Sequence, residues 1–275
     1  QGRTDDKIDI NMSKNAKFVF LSIPPAVSRQ NRARKKMDQW QEKMNKRDIR
    51  KEENRLFENW KELAREPEKI VADGVVDIAG WERLPEGKRF LFVLRDKNGG
   101  TGAKYHNDFR RELAETGSGW KTWNNIARWG QVLLSPDTEY HDVKYLDRQK
   151  RSELLRSLAV MNLMKDYGMN YTDRNKLDHI TEDSRHCGLL RDQIGLYEPD
   201  MMIACGMGSG GHKSNMDILM EIYGMNPGNI RRTRVNGRSY RYFILPLPDR
   251  QVPVIEFYHP QATQVSAYGS RRGHE

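Results

Sequence analysis

Phe90-Leu91-Phe92-Val93-Leu94 is an unbroken apolar run that stops at Arg95-Asp96-Lys97-Asn98. Five apolar residues without alternation, then charge, is the pattern of a strand buried on both faces and ending in a loop. Three more short, largely apolar runs also end on a polar or turn residue. Leu158–Met161 leads into Asn162, Met201–Cys205 into Gly206, and Val252–Phe257 into Tyr258-His259-Pro260. Between them lie helical stretches at Tyr105–Glu115, Thr122–Leu134, Ser184–Tyr197 and, shorter, Asn215–Tyr223. Strand and helix in alternation predict an α/β fold with a mostly parallel sheet and helices on both faces. Ligands in such sheets sit outside the carboxyl ends of the strands, so Asp96, Asn162 and His259 are expected to meet there.

At 275 residues the chain suffices for one substantial α/β domain plus an appendage. A formal net charge of +9 and a pI near 9.4 favour an anionic partner, nucleic acid being the simplest. Basic proteins are common, however, and charge alone identifies no ligand. Two cysteines, Cys187 and Cys205, exclude a disulfide scaffold and any four-cysteine zinc or iron–sulfur site. His179, His186 and Cys187 lie close together but match no zinc spacing, so neither metal nor cofactor is expected. Apolar runs stay far below the ~20 residues a membrane span needs. The polar start shows no signal-peptide pattern, which makes the cytoplasm the expected address. No membrane and no obligatory protein partner is implied.

Residues 1–52 form a polar, basic extension and 53–275 the α/β domain. Phe18–Ile23 has the composition of a short strand. From Arg29 to Lys51 there are ten Arg or Lys against three Asp or Glu. That stretch is a solvated helix or, in the sharper reading, an arm that tracks phosphates. Leu56, Trp60 and Leu63, at i, i+4 and i+7, predict a helix docked on the domain. The polar 135–150 segment is expected to be mobile. Asn236-Gly237, flanked by strand formers, predicts a hairpin. Its Arg231, Arg232, Arg234, Arg238 and Arg241 suit a DNA backbone, or merely keep a solvated edge from aggregating. Gly206-Met207-Gly208-Ser209-Gly210-Gly211 matches the G-x-G-x-x-G that cradles a dinucleotide pyrophosphate. It follows a late strand, however, and lacks the acid expected about 20 residues on. A pocket wall is the preferred reading.

Leu94-Arg95-Asp96-Lys97-Asn98, Trp123-Asn124-Asn125-Ile126-Ala127-Arg128-Trp129, Val160-Met161-Asn162-Leu163, Pro199–Gly206 and His259-Pro260 occur in that order. Together they resemble the uracil-DNA glycosylase superfamily, most nearly its bacterial uracil-DNA glycosylase-like branch without iron–sulfur cysteines. The likeness covers about residues 55–262 and rests on order and spacing more than on any one motif. It implies a three-layer α/β/α sandwich with a central, mostly parallel four-stranded sheet, preceded here by a basic helical extension. It also implies a monofunctional DNA glycosylase acting on a flipped-out base.

In that scheme Asp96 stabilises the sugar cation and orients the attacking water, and His259 stabilises the leaving base. Asn162 reads the base edge, with Asn98 nearby and Trp123 stacking on the base. Lys97, Lys165, Arg234, Arg238 and Gln261 touch DNA. The plainer alternatives are a loop-capping Asp96, a strand-end Asn162, a strand-end His259, a solvated Lys165 and a core Trp123. Several positions depart from the superfamily pattern. Lys97 replaces the usual Pro, and Gln261 the usual Ser. Asn98 stands where uracil-specific members carry an aromatic gate, and 262–267 lacks a Leu wedge. These departures shift the expected substrate toward DNA with a modified pyrimidine. A bulky phage cytosine such as glucosylated hydroxymethylcytosine would place the protein in anti-phage defence. The alternatives are a uracil-excising repair glycosylase and a non-catalytic DNA- or nucleotide-binding α/β protein.

Overall fold

Every residue of Phe90–Leu94 is buried, and the strand has a parallel neighbour on each side. Its side chains alternate between two apolar clusters. Leu91 and Val93 join one; Phe90, Phe92 and Leu94 join the other. A strand apolar on both faces needs cover on both, which is why the run shows no alternation. The structure, a computed structural model, describes residues 48–98, 107–116, 119–168, 173–208, 210–235 and 238–261.

In chain order the described elements begin with α1 (Ile49–Leu63), β1 (Gly74–Val75), α2 (Ile78–Glu82), β2 (Phe90–Leu94) and β3 (Lys97–Asn98). Next come α3 (Phe109–Thr116), α4 (Lys121–Leu134), α5 (Tyr140–Val143), α6 (Arg148–Arg156), β4 (Ala159–Asn162) and β5 (Tyr167–Gly168). The chain continues through α7 (Arg174–Asp178), α8 (Ser184–Tyr197), β6 (Met201–Cys205) and α9 (Asn215–Ile222). It closes with β7 (Arg231–Val235), β8 (Arg238–Leu247) and β9 (Arg250–Phe257).

The fold is α/β, as expected, but the main sheet is mixed and has seven strands rather than four, in the order β1-β4-β2-β6-β9-β8-β7. The four apolar runs are its centre: β4, β2, β6 and β9 pair in parallel. Antiparallel strands extend both sides, β1 on β4 and the β7–β8 hairpin on β9. The sequence reading missed β1 because two residues carry no period. It missed the second half of β8 because Pro246 sits there. One apolar cluster takes its helical side chains from α1, α2, α7, α8 and α9, the other from α3, α4 and α6.

The docking helix begins at Ile49, itself buried, with Asp48 capping the Lys51 N–H at 3.0 Å. Phe18–Ile23, nearly all of the basic Arg29–Lys51 stretch, and the Asn236-Gly237 turn lie outside the described residues. The polar 135–150 segment carries helix. It holds α5 and the start of α6, with Val143 buried. Arg128 ties it to α4 by donating to the carbonyls of Val143 (3.0 Å) and Lys144 (2.5 Å).

Gly74 shows how tightly β1 is seated. Its φ is +122°, and a Cβ there would lie 1.9 Å from the Tyr197 hydroxyl and 2.4 Å from Glu53 Oε1. Gly74→Ala is therefore expected to cost about 2–3 kcal/mol, read from the urea midpoint at unchanged m. A shift worth under about 0.5 kcal/mol would show that β1 is not locked in this way.

Candidate active site

Parallel register aligns the strand ends. Leu94 pairs with Asn162, Val93 with Ala204, and Cys205 with Phe257. The backbone keeps the exits together beyond the strands. Leu163 N–H donates to Leu94 O (3.0 Å), Met164 N–H to Arg95 O (2.8 Å), and Gly206 N–H to Phe257 O (2.9 Å). Past that point β3 and β5 pair as a separate two-stranded sheet. Asp96, two residues beyond β2, Asn162, the last of β4, and His259, two beyond β9, are thus brought to one edge.

Asn162 is buried, and its backbone N–H donates to Asp73 Oδ2 at 2.7 Å. Its side-chain Oδ1 is also buried and has no hydrogen-bond partner among the described residues. A buried acceptor left unmade costs free energy, which a ligand donor would recover. His259 is half-buried, and its Nδ1 accepts the Gln261 N–H at 3.2 Å. An accepting Nδ1 places the neutral ring's proton on Nε2, which makes that nitrogen a donor. Burial, and then the guanidiniums of Arg95 and Arg174, push the His259 pKa down to about 4. Asn125 of α4 steadies the same loop by donating to Pro260 O at 2.5 Å.

Arg95 and Arg174 were not assigned roles from the sequence. Arg95 is only 8% exposed and donates through Nε to Asn215 Oδ1 (3.4 Å) and through Nη2 to Met207 O (3.1 Å). Asn215 in turn donates to Val93 O and Cys205 O, stitching β2 to β6. Gly206, at φ +144°, makes room: a Cβ there would lie 2.9 Å from Arg95 Nε. Gly206 and Met207, at the start of the glycine-rich stretch, therefore lie against Arg95. Asn215 N–H bonds Gly206 O, while Ser214 and Asp217 close a reciprocal capping box.

Behind Asn162 lies a buried polar network. Lys165, 2% exposed, meets Asp73 at 2.8 and 3.0 Å and Gln193 Oε1 at 2.7 Å. Gln193 Nε2 donates to Asp73 (2.9 Å) and to the Tyr197 hydroxyl (2.7 Å). Glu53, fully buried, accepts from Val75 N–H (2.9 Å), Arg110 (2.9 Å) and Arg50 (2.6 Å). Burial raises the Glu53 pKa against the lowering pull of the two guanidiniums. The expectation that Lys165 touches phosphate is corrected: its ammonium is sealed inside the protein and already paired.

Two other expectations change for the same reason. Lys97 is buried against Glu112 (2.8 Å) and over the Phe109 ring, so it does not face a backbone. Trp123 is a core residue, edge-on to Phe109 at 4.7 Å between ring centroids, and has no face to offer a base. Arg234 and Gln261 are exposed, and Arg238 donates to the Tyr258 hydroxyl at 3.4 Å. Asn98 sits in β3, with its side chain outside the described residues. The 262–267 loop lies outside them entirely.

Comparison of the chain with protein-family models, with curated proteins and with solved structures gave no match. Among the described residues there is no cluster of three or more His, Cys, Asp or Glu able to hold a metal. No described helix is long and apolar enough to cross a membrane. What the edge offers is a carboxylate, a buried amide acceptor and an imidazole N–H donor, all beside guanidinium charge.

Lys165→Met is expected to cost about 3–5 kcal/mol in chemical denaturation, because it strands Asp73 as an unpaired buried charge. Adding Asp73→Asn should recover part of that loss; no recovery would show that the pairing is not what matters. His259 should titrate near pH 4 by NMR rather than near its ordinary 6.5. The unfolded chain binds this proton more tightly, so the associated stability is full above about 6.5 and is lost as pH falls toward 4. A midpoint at 6 or above would refute the buried, cation-flanked setting.

Proposed function

We propose that the protein is a monofunctional DNA glycosylase that hydrolyses the N-glycosidic bond of a flipped-out, modified pyrimidine. The observation that carries the reading is the buried, unpartnered Oδ1 of Asn162 at the same sheet edge as Asp96 and a neutral His259. An acceptor in that position suits a ring or exocyclic N–H on the Watson–Crick edge of a pyrimidine. The resemblance to the uracil-DNA glycosylase superfamily agrees with this assignment and with a three-layer sandwich built around the four parallel strands.

The chemistry follows from those groups. As the C1′–N1 bond breaks, its electron pair leaves with the base and positive charge grows on the deoxyribose. The Asp96 carboxylate stabilises that cation, directs a water to C1′ and takes the water's proton. His259 Nε2–H donates to the base carbonyl as negative charge gathers there. A neutral imidazole does this without first giving up a proton. DNA is the partner in this reading, and net charge and the exposed Arg234 support it. The superfamily-pattern departures at Lys97 and Asn98 favour a base bulkier than uracil.

The test is base release, read as alkali-labile abasic sites, on DNAs carrying uracil, cytosine, hydroxymethylcytosine or glucosylated hydroxymethylcytosine. Wild type should cleave one of them, and Asp96→Ala should lose about a hundredfold or more while still binding DNA. Undiminished release by Asp96→Ala would overturn the mechanism. DNA binding without release on every substrate would turn the reading toward an inert binding module.

A further inference from the structure

Arg174, the first residue of α7, carries a buried Nη1 with no hydrogen-bond partner among the described residues. Leaving a guanidinium N–H unmade away from water is costly, and charge makes it costlier. Nearby acids do not relieve it. Asp178, one turn further along α7, accepts at Oδ2 from His212 Nδ1 (2.6 Å) and at Oδ1 from the Lys213 N–H (3.0 Å). No ion pair joins it to Arg174 among the described residues.

A second guanidinium stands beside the first. Arg95 and Arg174 are close enough for Arg174 to lower the Arg95 pKa, after burial itself, and both lower that of His259. Among the described residues, Arg95 donates to a side-chain amide and a backbone carbonyl, both neutral acceptors. Asp96 and Asp178 contribute negative field at Arg95 without a hydrogen bond to it. Two partly desolvated cations acting on one neutral imidazole repel each other. An oxyanion between them would relieve the repulsion and supply acceptors in the forked geometry guanidinium prefers.

We infer that Arg95 and Arg174 form an oxyanion subsite beside His259 that takes a phosphoryl group of the bound nucleotide. The inference deepens the glycosylase reading of the same edge, but its geometry does not depend on base release. The phosphoryl group has two possible sources, a diester in the DNA backbone or the monoester of a free nucleotide, and the two have the same chemistry at the guanidiniums.

His259 reports on the site directly. Its titration in the full chain should be followed by NMR with inorganic phosphate, with deoxycytidine 5′-monophosphate, with a short single-stranded oligodeoxynucleotide, and with chloride at matched ionic strength. A bound oxyanion should raise the His259 pKa by about one unit or more over the chloride control. A larger response to the oligonucleotide names the backbone as source; a larger response to the mononucleotide names the monoester. Arg174→Gln should abolish the response and by itself raise the His259 pKa, while Arg174→Lys keeps part of the response. An amide spectrum confirms that each variant is folded. No response beyond chloride in the wild type, or a response that survives Arg174→Gln, overturns the subsite. Base release without any oxyanion response would overturn this inference alone. A clear oxyanion response in a protein that releases no base would overturn the glycosylase reading alone.

Discussion

Asp73 and Lys165 form an ion pair with almost no solvent contact, and most of the site's geometry hangs on it. Desolvating two charges offsets much of their attraction, so the pair is a weak source of net stability. Its effect is to forbid alternatives. With one oxygen on the Asn162 N–H and the other shared by Lys165 and Gln193, Asp73 admits only one register of β4 against its surroundings. Gln193 carries the constraint into α8, Tyr197 extends it, and Glu53 anchors α1 through Val75 and Arg110. The base-reading amide proposed here therefore sits on a backbone held rigidly from behind.

In front of that scaffold the field is cationic. Arg95 is folded back over Gly206 and fixed by Asn215, so its charge is directed along the strand ends rather than into solvent. Arg174 adds to it from α7. Burial first, and then these two guanidiniums, hold the His259 imidazole neutral across the physiological range. In the proposed reaction a neutral donor and a cationic surround complement a leaving group that becomes anionic, whereas a protonated histidine would add a third like charge. The interior network and the front edge thus divide the labour, one setting position and the other potential.

The surrounding elements serve the same edge. Arg128 pins α5 to α4, and Asn125, one turn earlier on α4, holds the Pro260 carbonyl. Trp129 packs edge-on against Phe257 at 4.9 Å, and Tyr240 of the hairpin stacks on the same ring. The last strand is therefore clasped from the helical side and from the hairpin before it delivers His259.

Local chemistry alone made the parallel centre of the sheet legible. Unbroken apolar runs such as Phe90–Leu94 have no soluble place except a doubly covered strand. Ser184–Tyr197 matches its predicted bounds because Asp183 caps it and its apolar spacing is helical. Asp96, Asn162 and His259 could be nominated because parallel strands must deliver their ends to one edge. The fate of the cations was not legible. Lys165 and Asp73 are 92 residues apart, and nothing local to either says that one will bury the other. Arg174 acquires meaning only beside Arg95, and Trp123 loses its suggested role only once Phe109 covers it. Side-chain polarity and periodicity are properties of a segment, so sequence determines them; the burial and pairing of charge depend on distant partners, and tertiary structure alone decides them.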